Sequence, residues 1–211
     1  EQYLGMQIEK NNNGSFTISQ PFLIDRIISA VPSMNNARSA KSPAATGTIL
    51  TKDEEGEPRK ESWHYRSVIG MLNYLVNCTH PELAYSVHQC ARFCNLPKHS
   101  HEQAVKRIIR YLLHVKRSSK QGITFKPDAS HSIDTFVDAS FAGEWNRGWS
   151  EDPSSVFSRT GYVIMFSKCP IIWGSKLQSE ITLSTTESEY VAFSQALRDV
   201  IPLIGLLREL R

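Results

Sequence analysis

Two carboxylates carry the chemistry this sequence offers. Asp138 lies in Phe136-Val-Asp-Ala-Ser-Phe-Ala-Gly143, and Glu189 lies in Glu187-Ser-Glu-Tyr190, ahead of a long apolar-periodic run. An acid on a strand and another in the first turns of a later helix can converge on one point. Converging carboxylates hold magnesium, which polarises phosphoryl oxygens and acidifies bound water. Glu187 is a second candidate on the same helix. It stands ~200° around the axis from Glu189, so both cannot face Asp138. Asp199 cannot join them, because ten helical residues place it ~15 Å from Glu189. Two carboxylates hold at best one loosely bound ion, whereas two-metal hydrolysis needs a cage around ions ~3.5–4 Å apart.

The elements that must position these acids are legible from periodicity. Strands are expected at 133–139, 161–166 and 171–173, with turns at Thr160-Gly161 and Lys168-Cys-Pro170. A helix capped by Thr185 or Thr186 should follow, with Glu187 and Glu189 in its early turns. Upstream, runs at 3–8 and 15–18 flank Asn11-Asn-Asn-Gly14, a strong hairpin signal. Pro21 opens a helix whose apolar face carries Phe22, Leu23, Ile27 and Ile28. A linker rich in Ser, Ala, Thr, Pro and Gly spans 32–60. Helices are expected at 62–77, from Pro81 to about Cys94, and at 100–115, before a short strand at 123–125.

Composition is that of an ordinary globular chain, with 40% apolar and 21% charged residues among 211. The net charge of +3 is unevenly spread. Residues 98–120 hold seven Lys/Arg (Lys98, Lys106, Arg107, Arg110, Lys116, Arg117, Lys120) against Glu102, a local +6 that leaves −3 elsewhere. Lys106, Arg107 and Arg110 should face solvent on the third of these helices. With Lys116 and Arg117 they form a stripe suited to phosphate contacts, which give affinity and salt dependence but no sequence reading. Four cysteines without a signal-peptide start point to a reducing compartment. No apolar run approaches the ~20 residues of a membrane helix, and no membrane partner is expected. Cys90 and Cys94 with His99 and His101 have the spacing of a zinc site, although helical cysteines among apolar neighbours are more often small core residues.

Taken in order, the segments YLGMQIEKNNNGSFTISQPFLIDRI, YRSVIGMLNYLVNCTHPELAYSVHQCARF, HEQAVKRIIRYLL, VDASFAGEW, SRTGYVIMF, IIWGSKLQ and STTESEYVAFSQAL resemble the Pol polyprotein of copia-type LTR retrotransposons. The resemblance runs from the end of the reverse transcriptase into the ribonuclease H and covers nearly the whole chain. It implies an α+β fold. Residues 1–125 would be a palm-end β-hairpin, a linker and a helical thumb or connection. Residues 126–211 would be a ribonuclease H-like β-β-β-α unit, truncated after its first helix. Asp138 matches the family's first catalytic aspartate, and Glu189 matches its helical glutamate better than Glu187 does. Both would be magnesium ligands.

What the resemblance implies for function is divided. The parent copies RNA into DNA and hydrolyses the RNA of RNA–DNA hybrids with two magnesium ions. Its partners are the hybrid or a primer–template duplex and the rest of the polyprotein, in a cytoplasmic virus-like particle or the nucleus. The polymerase aspartates would fall before Glu1 and the later nuclease aspartates after Arg211, so both ends look cut and this stretch is expected to be inactive alone. The alternative is a decayed or domesticated remnant that only binds nucleic acid through its basic helix. A weaker reading is a genomic fragment that never folds stably, its sheet edge left open.

Overall fold

Asn11 to Gly14 turns the chain because Gly14 sits at φ +78°, which a residue with a side chain resists. The Asn11 amide donates to Ser15 O at 2.8 Å and the Gly14 amide to Asn11 O at 3.1 Å. The hairpin so made joins β2 (Met6–Lys10) to β3 (Phe16–Ser19). The computed structural model describes residues 2–118, 122–143, 145 and 153–210; Lys120 of the basic run lies outside them. The fold is α+β, and the chain divides into two units, residues 1–125 and 126–211.

In the first unit, β1 (Gln2–Tyr3), β2, β3 and β4 (Gly122–Phe125) form an antiparallel sheet in that order. Ile18 pairs with both Ile8 and Ile123. Glycine at 122 permits the closure, since a Cβ there would lie 2.0 Å from Ile18 O. Pro21 starts α1 (Pro21–Ser29). Ile24, Ile27 and Ile28 are its buried face, while Phe22 stays 68% exposed. Ile27 and Ile28 are thus buried as expected and Leu23 packs against the core, but Phe22 is not part of the face, whose i, i+3, i+4 stripe starts at Ile24.

α2 (Tyr65–Cys78) buries Val68, Ile69, Leu72, Leu75 and Val76. A 3-10 turn at Pro81–Leu83 leads into α3 (Ala84–Ala91), and α4 (His99–Arg117) buries Val105, Ile108, Ile109 and Leu112. These stripes meet in one core with α1. The expected linker is a strap laid along α4. The Ala40 amide donates to Arg110 O at 2.9 Å and the His99 amide to Glu57 O at 2.8 Å. Glu102, fully buried, accepts from the Lys60 and Glu61 amides at 3.0 and 3.2 Å.

The second unit is a meander, β5 (Ile133–Ser140), β6 (Arg159–Phe166) and β7 (Cys169–Leu177), with α5 (Thr185–Glu209) packed on β5 and β6. β7 is much longer than 171–173. Ser167 and Lys168, both at positive φ, make a two-residue turn, so the strand begins at Cys169. Pro170 is tolerated because β7 is an edge strand and the ladder slips by one residue beside it.

α5 corrects one expectation. Its 25 residues are long and apolar enough to cross a membrane, by length and composition only. The apolar residues are interrupted, which is why no continuous run shows them. Arg198 and Asp199 sit mid-helix. Ala192, Ala196 and Val200 are buried, and Asp199 accepts from the Tyr162 hydroxyl at 2.6 Å. In this unit the helix serves to pack the sheet.

Candidate metal centre

α5 begins at Ser184 rather than at Thr185 or Thr186. Ser184 is extended (φ −148°, ψ 160°), and its hydroxyl accepts from the Glu187 amide at 3.1 Å. The Glu187 carboxylate closes the cap by accepting from the Leu183 amide at 2.7 Å. Both hydroxyls named in the expectation come too late, inside the helix.

Glu189 points elsewhere. Its Oε1 accepts from the Ala139 amide at 3.3 Å, so it lies against the peptide bond joining Asp138 to Ala139. β5 is the edge of its sheet, and this amide belongs to the edge that β6 does not occupy. Asp138 itself is exposed. Val137 pairs with Tyr162, whose hydroxyl reaches α5, so Val137 is on the helix side and Asp138 on the opposite face. The two carboxylates therefore flank the free edge of β5 from its two faces. Beside Glu189 a cavity of about 410 Å³ opens among Val137, Thr185, Thr186, Tyr190 and Phe193.

A buried polar network fixes this arrangement, and its residues carry no motif or periodicity that marks them in the sequence. Gln178, just after β7, donates to Thr160 Oγ1 at 3.1 Å and to Ser188 O at 2.9 Å, tying the first turn of α5 to β6. The Ser158 hydroxyl bonds Thr182 at 2.8 Å and accepts from the Ala142 amide at 3.2 Å, anchoring the loop after β5. Gln178 closes the segment IIWGSKLQ, but a lone glutamine carries no periodic signal of burial.

Magnesium needs oxygen ligands and takes one or two carboxylates, the rest being water and substrate oxygens. Asp138 and Glu189 have the oxygen-donor chemistry such an ion takes, and they stand on opposite faces of β5 beside its free edge. They do not make a two-ion cage. Among the described residues no three His, Cys, Asp or Glu side chains are grouped to hold a metal.

At the suggested zinc spacing, His101 uses both ring nitrogens, Nδ1 accepting from the Lys98 amide at 2.8 Å and Nε2 facing Thr51 O at 2.7 Å. Burial lowers its pKa, and its ring stacks on Phe93 at 4.2 Å. Burial pushes the Cys90 thiol up to about 12, which suits a core residue.

The basic helix departs from the expected solvent-facing stripe. Lys106 is buried and pairs with Glu61 of the strap. Its four-carbon stem crosses apolar surface, and Glu61 and Glu102 compensate the charge. Arg107 donates to Ser42 Oγ at 2.9 Å, and Arg110 to Arg38 O at 2.7 Å. Lys116 pairs with Asp25 at 2.6 Å, and Arg117 reaches Ser39 Oγ at 3.4 Å. The stripe holds the strap and α1, with Lys116 and Arg117 still exposed.

The Retrovirus-related Pol polyprotein from transposon TNT 1-94 of Nicotiana tabacum is 33% identical over 218 residues, covering 100% of this chain and 15% of that protein. The Retrovirus-related Pol polyprotein from transposon RE2 of Arabidopsis thaliana is 28% identical over 99% of this chain and 13% of its own length. Secreted RxLR effector protein 161 of Plasmopara viticola is 32% identical over 137 residues, 65% of this chain and 89% of that protein. The chain thus spans only about one seventh of the Pol polyproteins it matches. No family model matches the chain. No solved structure matches it either.

Proposed function

Because the chain belongs to the retrovirus-related Pol polyproteins of copia-type transposons, we propose that it is the piece joining their reverse transcriptase to their ribonuclease H. Residues 1–125 are then the palm-end hairpin with its helical thumb or connection, and residues 126–211 the start of the nuclease. Asp138 and Glu189 hold a magnesium ion for hydrolysis of the RNA strand of an RNA–DNA hybrid. The observation that carries this reading is the hydrogen bond from the Ala139 amide to Glu189. It sets the helical glutamate against the peptide bond that follows the strand aspartate, while Glu187 is engaged at the helix cap.

Bound there, magnesium would polarise a phosphoryl oxygen and acidify a water. The residues of this chain orient and bind. Asp138 and Glu189 would supply oxygen ligands, Gln178 holds α5 against β6, and the open edge of β5 leaves the approach to both acids uncovered by a neighbouring strand. Two-metal hydrolysis would need further carboxylates besides these two. The test is magnesium binding by the chain, with Asp138→Asn and Glu189→Gln expected to abolish it.

The second reading, a protein that binds hybrid or duplex without chemistry, has one observation in its favour. The chain covers 89% of a relative that stands as a short protein of its own. Contacts would come from Lys116 and Arg117 at the exposed end of α4. Salt-sensitive hybrid binding that ignores magnesium, and weakens in the double variant Lys116→Gln, Arg117→Gln, supports it. Hybrid binding that requires magnesium counts against it.

A further inference from the structure

The sheet of the second unit protects one of its edges and leaves the other bare. Along β7 the edge carries Pro170, a register slip and Lys176, each of which discourages a further strand. β5 has none of these between Ile133 and Val137. The backbone amides and carbonyls of Ile133, Thr135 and Val137 point outward like the Ala139 amide, while the residues between them bond β6. Ala139 is already engaged by Glu189, so the bare stretch ends at Val137. α5 runs beside this edge. Tyr190 and Phe193 line a cavity with Val137, and Ile204 lines another with Ile133. With Leu197 and Ile201 they recur at helical spacing as an apolar stripe, in which Tyr190, Phe193 and Ile201 are more than half exposed.

We infer that the edge and the stripe are one interface, occupied by a second copy of this chain paired about a twofold axis through Thr135. Of the antiparallel registers centred within residues 134–137, the charges and Glu189 leave this one. Centring on Asp134 sets Asp134 against its own copy, and centring on Phe136 sets Asp134 against Asp138. Like charges directly opposite are destabilising. Centring on Val137 needs the Ala139 amide that Glu189 holds. Centring on Thr135 puts Ile133 opposite Val137 of the second copy, and Asp134 opposite Phe136. The helices fit the same axis. Because α5 packs on β5 and β6, its axis stands half a strand spacing inside β5, ~2.4 Å. The twofold axis lies as far outside β5, so the two α5 helices come ~10 Å apart, the separation of packed helices. Asp138 and Glu189 lie beyond the paired stretch, and the interface needs no metal at them.

The test is sedimentation velocity of the whole chain across a series from micromolar to millimolar concentration, where a monomer–dimer equilibrium is expected. Thr135→Pro removes an outward N–H and spares the ladder to β6; Ile201→Glu charges the stripe at an exposed position. Each should weaken the dimer about tenfold or more, with far-ultraviolet circular dichroism unchanged in Ile201→Glu. Thr135→Cys reads the register. The two copies of residue 135 would stand ~5.5 Å apart between Cα atoms, so mild oxidation should cross-link the dimer above the background of the parent. Phe136→Cys, whose copies the same register holds ~8 Å apart, should not cross-link. A chain that stays monomeric throughout the series would overturn the assignment and leave the edge to a strand of another polypeptide. So would a dimer indifferent to Ile201→Glu, or one cross-linked as readily through Phe136→Cys as through Thr135→Cys.

Discussion

Glu189 Oε1 lies 3.3 Å from the Ala139 amide nitrogen, while Glu187, two residues earlier, accepts from the Leu183 amide at 2.7 Å. Two acids in one helical turn thus do different work, one at the edge of β5 and one at the helix start. Ser184→Ala removes only the cap hydroxyl, and should cost the second unit about 1 kcal/mol. Thermal unfolding followed by circular dichroism would show the loss. Magnesium affinity in the same variant should stay within about twofold of the parent; a large fall would tie the cap to the metal site.

Glu102 is the acid on which the strap depends. Glu102→Ala leaves the Lys60 and Glu61 amides without their acceptor, and should cost about 3 kcal/mol or more in urea unfolding of the first unit. Protease cutting within residues 43–60 should rise with it. A variant of unchanged stability would mean that the strap is held chiefly by its other tethers.

The same residue sets an acid limit. Burial alone would raise the Glu102 pKa; hydrogen bonds from the Lys60 and Glu61 amides and from His99, with the charge of Lys106, outweigh it and hold the carboxyl below its usual 4.5. The stabilisation is therefore complete above about 4.5 and is lost as pH falls through the lower folded value. The urea midpoint of the first unit should drop below that pH, and in Glu102→Gln it should drop less steeply.

At the alkaline end the second unit depends on Tyr162. Burial, then its hydrogen bond to Asp199 and that residue's charge, pushes the phenol up to about 12. A folded pKa raised above the unfolded value near 10 favours the protonated phenol, so stability is full below about 10 and declines from there towards 12. Tyr162→Phe should remove that decline, and ultraviolet titration of the phenolate should show one late-ionising tyrosine missing in the variant.

The succession of elements along the chain, the hairpin at Asn11 to Gly14 and the four helices of the first unit were legible because each rests on local periodicity or a turn residue. Other features depend on contacts made far along the chain. β4 joins the first sheet through Ile123 opposite Ile18, a pairing across more than 100 residues of sequence. Lys106 reads as a surface base, yet the strap returns Glu61 to meet it. Asp138 and Glu189 could be nominated from their motifs, but choosing Glu189 over Glu187 as the residue near β5 required the cap at Ser184 to be seen. The faces of β5 likewise emerge only from the pairing of Val137 with Tyr162.

The most direct test of the central claim is a magnesium titration of the intact chain, read in amide nitrogen–proton correlation spectra at the Asp138 and Ala139 signals. The Ala139 amide reports on Glu189 because it donates to that carboxylate. Both signals should shift saturably at millimolar magnesium, with the shift abolished by Asp138→Asn and by Glu189→Gln and retained in Glu187→Gln. A shift that survives both of the first two substitutions, or that disappears only in Glu187→Gln, would contradict the claim, as would no shift at all.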